Sequence, residues 1–259
     1  MVRYNIAKIK KRGLFMNVVL NKLNTIASYA AAISLVIILL VTSVSINCFD
    51  SDFYKSEYKT LQTAQDLGMT QKDLNLATNT LLDYLQDKRD NINVEITVQG
   101  SKVEAFNSKE AAHMVDVRSL YHFAQILRNM AFVILVVSCI YLLVRLKKGA
   151  WTVLSINYMK AAILFAIFFI MLAGWAYVDF DAFWTAFHHV AFRNDLWLLN
   201  PSTDLMINLF PAAFFSKLVF RIVMMFAIGF IGCFVGAYIY LRYQLKHYQA
   251  ETQELSHDA

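Results

Sequence analysis

Proline is nearly missing from this chain: two in 259 residues, Pro201 and Pro211, both in one short stretch. Glycine numbers eight. So few breakers leave long helices free to run without interruption. Cysteine is scarce too. Cys48, Cys139 and Cys233 stand alone, with no CxxC pair and no visible disulfide framework. Cys139 and Cys233 sit inside apolar runs, where a thiol packs as a small apolar group. HExxH, GxSxG, GxxxxGK[ST] and zinc-finger spacings are all absent, which removes the commonest motif-borne routes to metal, serine-nucleophile or phosphate-loop chemistry. Acidic residues are missing from two places, residues 1–23 and the 145–160 link.

What the chain has is apolar length. It is 58% hydrophobic, and four runs reach the ~20 residues that cross a bilayer. They are Ile26–Ile46, Phe123–Val144, Ala161–Val178 and Leu218–Tyr240. The expected fold class is an all-α membrane protein, a four-transmembrane-helix bundle with a small extracytoplasmic α/β segment between spans 1 and 2. The acid-free places carry Arg3, Lys8, Lys10, Lys11, Arg12 and Lys22 in one, and Arg145, Lys147, Lys148 and Lys160 in the other. The positive-inside tendency puts both in the cytoplasm. An even number of spans returns the end, with Arg242 and Lys246, to the same side. The net charge of +5 thus reads as topology, and no nucleic acid partner is inferred.

The expected organisation is a cytoplasmic basic start at 1–25 and spans at 26–46, 121–146, 158–178 and 218–241. A cytoplasmic loop at 147–157 and a tail at 242–259 face inward, with extracytoplasmic segments at 47–120 and 179–217. The basic start resembles a signal peptide, and SVSINC at 43–48 resembles a lipoprotein cleavage site. The first apolar run is too long for an ordinary signal core, and Asn47 replaces the small residue expected before such a cysteine. It is read as an uncleaved span.

In the first outer segment, Met69–Arg89 has helical spacing at Leu74, Leu81, Leu82 and Leu85, opened by Gly68 and a Thr70–Asp73 capping pattern. Ile92, Val94, Ile96 and Val98 then alternate with polar residues, Gly100–Ser101 turns the chain, and Val103 and Ala105 resume the alternation. An isolated hairpin is marginal in water, so this one is expected to rest on the helix or the membrane mouth. Ser108–Glu110 caps a further helix that runs into the second span. His113 and Asp116 share a face on it, with Tyr121 further along, and Arg128 and Asn129 lie about two turns inside the apolar run.

The densest polar and aromatic stretch is Phe180–Phe215. From Phe180 a helical period aligns Phe180, Trp184, His188 and Ala191, while His189 falls with Thr185 and Asp181. Arg193, Asn194 and Asp195 end the helix. Asn200-Pro201-Ser202-Thr203-Asp204 is a turn, and Met206, Leu209 and Phe210 form a short helix before Pro211. Arg221 follows Lys217 at the start of the last span. Arg128, Asn129, Arg221 and the His pair therefore share a depth, which points to a shared cavity.

Adjacent histidines do not make a helical metal pair. Ser119, Ser202 and Ser216 read as cap and turn residues. Imidazole remains, the general acid/base of neutral pH. At a lipid-facing mouth it can take a proton from an attacking amine or water while an Arg, Asn or second His steadies the oxyanion of an ester.

The run FHHVAF-RNDLW-LLNPSTDLMINLFPAAFF, with HMVDV at 113–117, resembles the lipoprotein intramolecular transacylase family, Lit. The family pattern of FHxxxF, D-x-W, P-x-x-D and P-x-x-FF falls on Phe187, His188 and Phe192; Asp195 and Trp197; Pro201 and Asp204; and Pro211, Phe214 and Phe215. The resemblance implies a bacterial plasma-membrane enzyme that moves the sn-2 acyl chain of a diacylglyceryl lipoprotein to the α-amine of its N-terminal Cys. It implies His113 and His188 as the catalytic pair, one acting as base on the amine and the other assisting the glyceryl oxygen or the oxyanion, with their assignment open. Asp116, Tyr121, Arg128, His189, Asn194, Asp195, Trp197, Asp204 and Arg221 are expected to support them or position substrate. The expected partners are the lipoprotein and membrane lipids, the expected state is monomeric, and no cofactor or metal is expected. His189 directly after His188 and Asn200 before Pro201 depart from the family pattern. Two other classes stand beside this reading. A non-enzymatic scaffold would bind a partner through the outer segment. A transporter is disfavoured, because no internal repeat is visible and the polar residues gather on one side.

Overall fold

A computed structural model describes the backbone of residues 2–257 and the side chains of residues 21–247. Arg3, Lys8, Lys10, Lys11 and Arg12, on which the expected cytoplasmic start rests, lie outside the described side chains, as do residues 248–259 of the expected tail.

The elements run α1 (Val2–Cys48), α2 (Ser51–Thr60), α3 (Thr63–Asp66), α4 (Gln71–Leu85), β1 (Glu95–Val98), β2 (Ser101–Glu104), α5 (Ser108–Leu146), α6 (Gly149–Val178), α7 (Phe180–Ala191), α8 (Leu205–Leu209) and α9 (Ala212–His257). Among the described residues, four stretches are long and apolar enough to cross a membrane: Asn21–Cys48, Ser108–Leu146, Gly149–Val178 and Ala212–His247. The fold class read from the sequence is the one observed, a four-helix membrane protein with a small two-stranded sheet. The 39 residues of α5 make a rod of about 58 Å, nearly twice the ~30 Å hydrocarbon core, so one part of it must stand clear of the bilayer. Lys109, Glu110, Asp116 and Arg118 mark that part as its beginning.

The chain divides into two compact units. The first comprises residues 1–39, 128–169 and 227–259. Small side chains, Ala31, Ala32, Ala131, Ala150, Ala161 and Ala162, are buried there and let the helices approach closely. Two polar ties join them. Asn157 Nδ2 donates to Ser28 Oγ at 2.6 Å, and Tyr158 OH donates to the Phe230 carbonyl at 3.0 Å. The outward face is apolar: Leu164 and Ile228 are 71% and 70% exposed, an arrangement suited to lipid and costly in water.

The second unit comprises residues 40–127 and 170–226. Its core is built on Tyr58, Leu74, Ile96, Leu209 and Phe214, all buried. Each such side chain contributes roughly 1.5–3 kcal/mol by leaving water. The α4 helix starts as expected, with Thr70 Oγ1 accepting the Asp73 N–H at 3.1 Å, and Leu74 and Leu81 form its buried stripe. The hairpin is present, with Glu95 opposite Glu104 and Val98 opposite Ser101. Its turn lies one residue earlier than expected, at Gln99–Gly100, because both take positive φ, 49° and 81°, the requirement of a tight twisted turn. It does rest on its neighbours: β1 packs on α4, and the Gln99 N–H donates to the Gly68 carbonyl at 2.8 Å.

Gly68 sits at φ +63° with a virtual Cβ 2.9 Å from Gln99 Cγ. Gly68→Ala is therefore expected to destabilise the protein by about 1–2 kcal/mol, the cost of a left-handed non-glycine residue, as measured by denaturation in detergent.

The α2 helix was not anticipated. Its sequence is mostly polar, so its three buried rings, Phe53, Tyr54 and Tyr58, give only a broken apolar rhythm. Asp50 caps it by accepting the Asp52 and Phe53 N–H groups. The α5 cap is also displaced by one residue. Asn107, not Ser108, accepts the Lys109 and Glu110 N–H groups, and Glu110 Oε2 returns the bond to the Asn107 N–H at 2.7 Å, completing a reciprocal capping box.

Candidate functional site

Two histidines from distant parts of the chain meet in the second unit. His113 lies on α5 and His188 on α7, and their ring centroids are 6.3 Å apart at an interplanar angle of 32°. Phe192 packs against both, at 5.3 Å and 5.7 Å.

The placement of His188 follows from local sequence. Asp179 accepts the Ala182 N–H at 2.9 Å and starts α7 abruptly after α6. The face predicted from the period then forms: Phe180 stacks on Trp184, and Trp184 meets His188 edge-on at 4.9 Å. His188 is buried, whereas His189, about 100° around the helix, is exposed. His188 Nδ1 lies 2.7 Å from the Trp184 carbonyl oxygen. A carbonyl only accepts, so Nδ1 carries the proton and Nε2 keeps its lone pair. Burial, aided by the neighbouring His189, lowers the His188 pKa against the opposing pull of the Trp184 carbonyl. The ring is therefore neutral at pH 7, with a bare Nε2.

Both histidines line a cavity of about 430 Å³. Its polar or ring-bearing lining includes Asp181, Trp184 and Trp197, and most of the rest is apolar: Leu81, Leu82 and Leu85 of α4, Met114 and Val117 of α5, Met206 and Ile207 of α8, and Phe214, Phe215 and Leu218 of α9. Tyr54 also faces it, and its phenol donates to the Cys48 carbonyl at 2.8 Å.

Four polar ties fasten the 194–206 loop along the first turns of α5. Asn194 Nδ2 donates to Asp116 Oδ2 at 2.9 Å. Lys109 Nζ donates to the Leu198 carbonyl. Asn107 Nδ2 donates to Asp204 Oδ1 at 2.8 Å, and the Met206 N–H donates to Glu110 Oε1 at 2.6 Å. Asp204 also accepts the Asn200 N–H at 2.7 Å, the bond chiefly responsible for a carboxyl pKa below the usual range. His113 stands between the residues that make these ties, so the loop and that imidazole are held on one scaffold. Trp197 closes the site by stacking on His188 at 4.8 Å and meeting His189 edge-on at 5.0 Å.

The structure thus brings together His113, His188, Trp197, Asp116, Asn194 and Asp204, all candidates from sequence. Other candidates fall elsewhere. Arg221 does not line the cavity; it donates to Asp50 at 2.6 Å and lies 4.6 Å above the Phe53 ring. That bond holds the Asp50 carboxyl below its ordinary pKa. Lys217 pairs with Glu57 at 2.6 Å, so Lys217 and Arg221, near the start of α9, both secure α2. Arg128 and Asn129 belong to the other unit and do not line the cavity. Tyr121 packs on Phe49, and Asp195 is exposed, with its carbonyl accepting the Leu198 N–H. The shared depth of these groups therefore did not translate into one cavity. Depth fixes only one coordinate, and the direction around the helix axis decides the rest. Ser119, Ser202 and Ser216 bond back to their own helix or turn, as expected.

Sequence reasoning missed Asn107 and Glu110 as site-building residues. Their N-x-x-E spacing was the available signal, since it is a capping box. It also missed the His122–Asp87 pair at 2.9 Å, which Arg118 joins. Among the described residues no three His, Cys, Asp or Glu side chains gather closely enough to hold a metal ion.

A family model described as lipoprotein intramolecular transacylase Lit matches residues 29–215. Among solved structures, the chain resembles the membrane-integral lipoprotein intramolecular transacylase Lit from Bacillus cereus, with a TM-score of 0.69 and 21% identity over 89% of this chain and 99% of that one. Two variants of that Bacillus cereus protein, each with one histidine replaced, by arginine or by alanine, match with a TM-score of 0.66 and 20% identity. They cover 93% and 92% of this chain, respectively, and 99% of their own. At such identities the likeness speaks for the fold. No curated protein matches the chain.

Proposed function

The chain belongs to the family of lipoprotein intramolecular transacylases, Lit, and is a membrane acyltransferase, and from that premise we propose that it moves the sn-2 acyl chain of a diacylglyceryl lipoprotein to the α-amine of its N-terminal Cys, using His188 as general base with His113 at its side. The observation that carries this reading is the 2.7 Å contact between His188 Nδ1 and the Trp184 carbonyl oxygen. With Nδ1–H committed to the Trp184 carbonyl, Nε2 is a bare acceptor in an apolar cavity. The α-amine attacks the ester carbonyl carbon, and its proton passes to His188 Nε2. The carbonyl π electrons move to oxygen and then return, breaking the bond to the glyceryl oxygen. That oxygen leaves with the proton delivered from His188. His113, with its ring centre 6.3 Å away, holds the glyceryl group by hydrogen bonding. Donor and acceptor belong to one lipoprotein, so keeping them in an attack pose supplies much of the rate. The apolar cavity walls suit the acyl chain.

The orientation follows the charge pattern. Both termini are cytoplasmic, the 47–120 and 179–217 segments face outside, and the protein works as a monomer on lipoproteins in the plasma membrane. The spans keep the boundaries given by hydropathy, and residues 149–157 of the expected 147–157 loop are the helical start of α6. Asp116, Asn194 and Asp204 position the site by securing the loop.

Mass spectrometry of N-terminal lipopeptides, with and without expression of the protein, tests this function. The lyso form should appear only with expression; unchanged diacyl lipopeptides would contradict it.

A pH consequence follows. The reaction needs neutral His188, and burial lowers the pKa of this ring from 6.5. The neutral base therefore persists below the ordinary His range and is lost as pH falls through the lowered value. Followed by NMR with ring-labelled histidine, protonation of His188 is expected below pH 6.5, apart from the substrate α-amine, which ordinarily titrates at about 7.7–8.0 and sets its own acid limb in kcat/KM. A His188 midpoint at or above pH 6.5 would contradict the effect of burial.

A further inference from the structure

The 194–206 loop is rich in paired polar atoms, yet one donor within it is idle. Trp197 Nε1 is buried and has no hydrogen-bond partner among the described residues. An indole N–H can only donate, and leaving it unpaired away from water is unfavourable. Such an orphan calls for a reason in function. The backbone around it is tied, through Asn194 to Asp116 and Leu198 to Lys109, and the ring itself packs against both His188 and His189. Its ring is stacked on His188 and lines the same cavity. In that cavity, His113 Nδ1 is the other buried polar atom without a partner.

Resting on the transacylase reading above, we propose that Trp197 is a further catalytic residue, whose indole N–H donates a hydrogen bond to the carbonyl oxygen of the sn-2 ester and strengthens it as that oxygen becomes an oxyanion. When the amine nitrogen bonds to the carbonyl carbon, the π pair moves onto oxygen, and the Trp197 N–H meets that charge. When the pair returns and the carbon–glyceryl oxygen bond breaks, the same N–H holds the new amide carbonyl. The indole gives up no proton in the cycle; the amine proton travels through His188 to the glyceryl hydroxyl. A donor fixed beforehand beside the base, in an apolar pocket, is the arrangement that stabilises developing charge most effectively.

The test uses the full-length protein in detergent with a synthetic diacylglyceryl-cysteinyl lipopeptide. Two variants are compared with the native protein: Trp197→Phe, and an isostere with 3-benzothienylalanine at 197, which replaces the N–H by sulfur at nearly constant shape. Both are expected to lose roughly 10²–10³-fold in kcat, the usual cost of one oxyanion donor, with KM within about threefold. The isostere is expected to melt like the native protein. Native-like kcat in the isostere would overturn the proposal, and so would a loss carried wholly by KM. If Trp197→Phe fails to fold, the isostere alone decides. Failure of the underlying reading is distinct, because the native protein itself would then yield no lyso lipopeptide.

Discussion

Replacing His188 by alanine is expected to lower kcat for lyso-lipoprotein formation by roughly 10²–10⁴-fold, the range that general acid–base catalysis commonly supplies. The helix should survive the change. Its cap at Asp179 and its aromatic contacts between Phe180, Trp184 and Phe215 do not depend on the imidazole. His113→Ala should reduce kcat as well. If both rings serve one step, the double variant should be little worse than the poorer single one, since groups acting as a unit are strongly non-additive. Single-turnover kinetics on a synthetic lipopeptide, with thermal melting as the control for folding, separates these outcomes. Two fully active single variants would remove the imidazoles from the mechanism.

The second large effect is structural in origin and catalytic in consequence. Glu110 is 1% exposed, and its two oxygens accept the Met206 N–H at 2.6 Å and the Asn107 N–H at 2.7 Å. Glu110→Ala strands two N–H groups at once and is expected to cost about 2–4 kcal/mol in denaturation measurements. Glu110→Gln keeps one accepting oxygen but presents an NH₂ to the other donor, so it should recover only part of the loss. Because Met206 and the loop before it form a wall of the cavity, releasing this tie should also lower kcat. His113, one turn further along α5, would then no longer be held against the loop that carries Trp197. A Glu110→Ala protein as stable as the native one would show that the tie is dispensable.

How legible all this was depends on the kind of physics involved. The four spans were plain, because apolar length is a one-dimensional property. The start of α4 and the hairpin were readable from Thr70–Asp73 and from the alternation at Ile92–Val98, both local. The face shared by Trp184 and His188 followed from helical period alone. The meeting of His113 with His188 did not follow from any local pattern; family resemblance named the residues, and the three-dimensional structure supplied the 6.3 Å between their ring centres. Arg221 falls outside the cavity lining, held by Asp50 on a different segment, 171 residues earlier. The α2 helix was overlooked because its stability comes from rings buried against Phe210 and Phe214, not from its own mostly polar sequence. The tautomer of His188 needed a distance to a backbone oxygen, which residue types alone do not provide.

At the centre of the proposed reaction, one lipid ester is attacked within a cavity shared by His113 and His188. The most direct test is turnover of a synthetic lipopeptide carrying an isotope label only in the sn-2 acyl chain, with native protein and with His188→Ala. Native protein should move the label onto the α-amine of the terminal Cys while the sn-1 chain stays in place, and His188→Ala should leave the label on glycerol. Label retained on glycerol with native protein, or transferred equally well by His188→Ala, would contradict the proposed reaction.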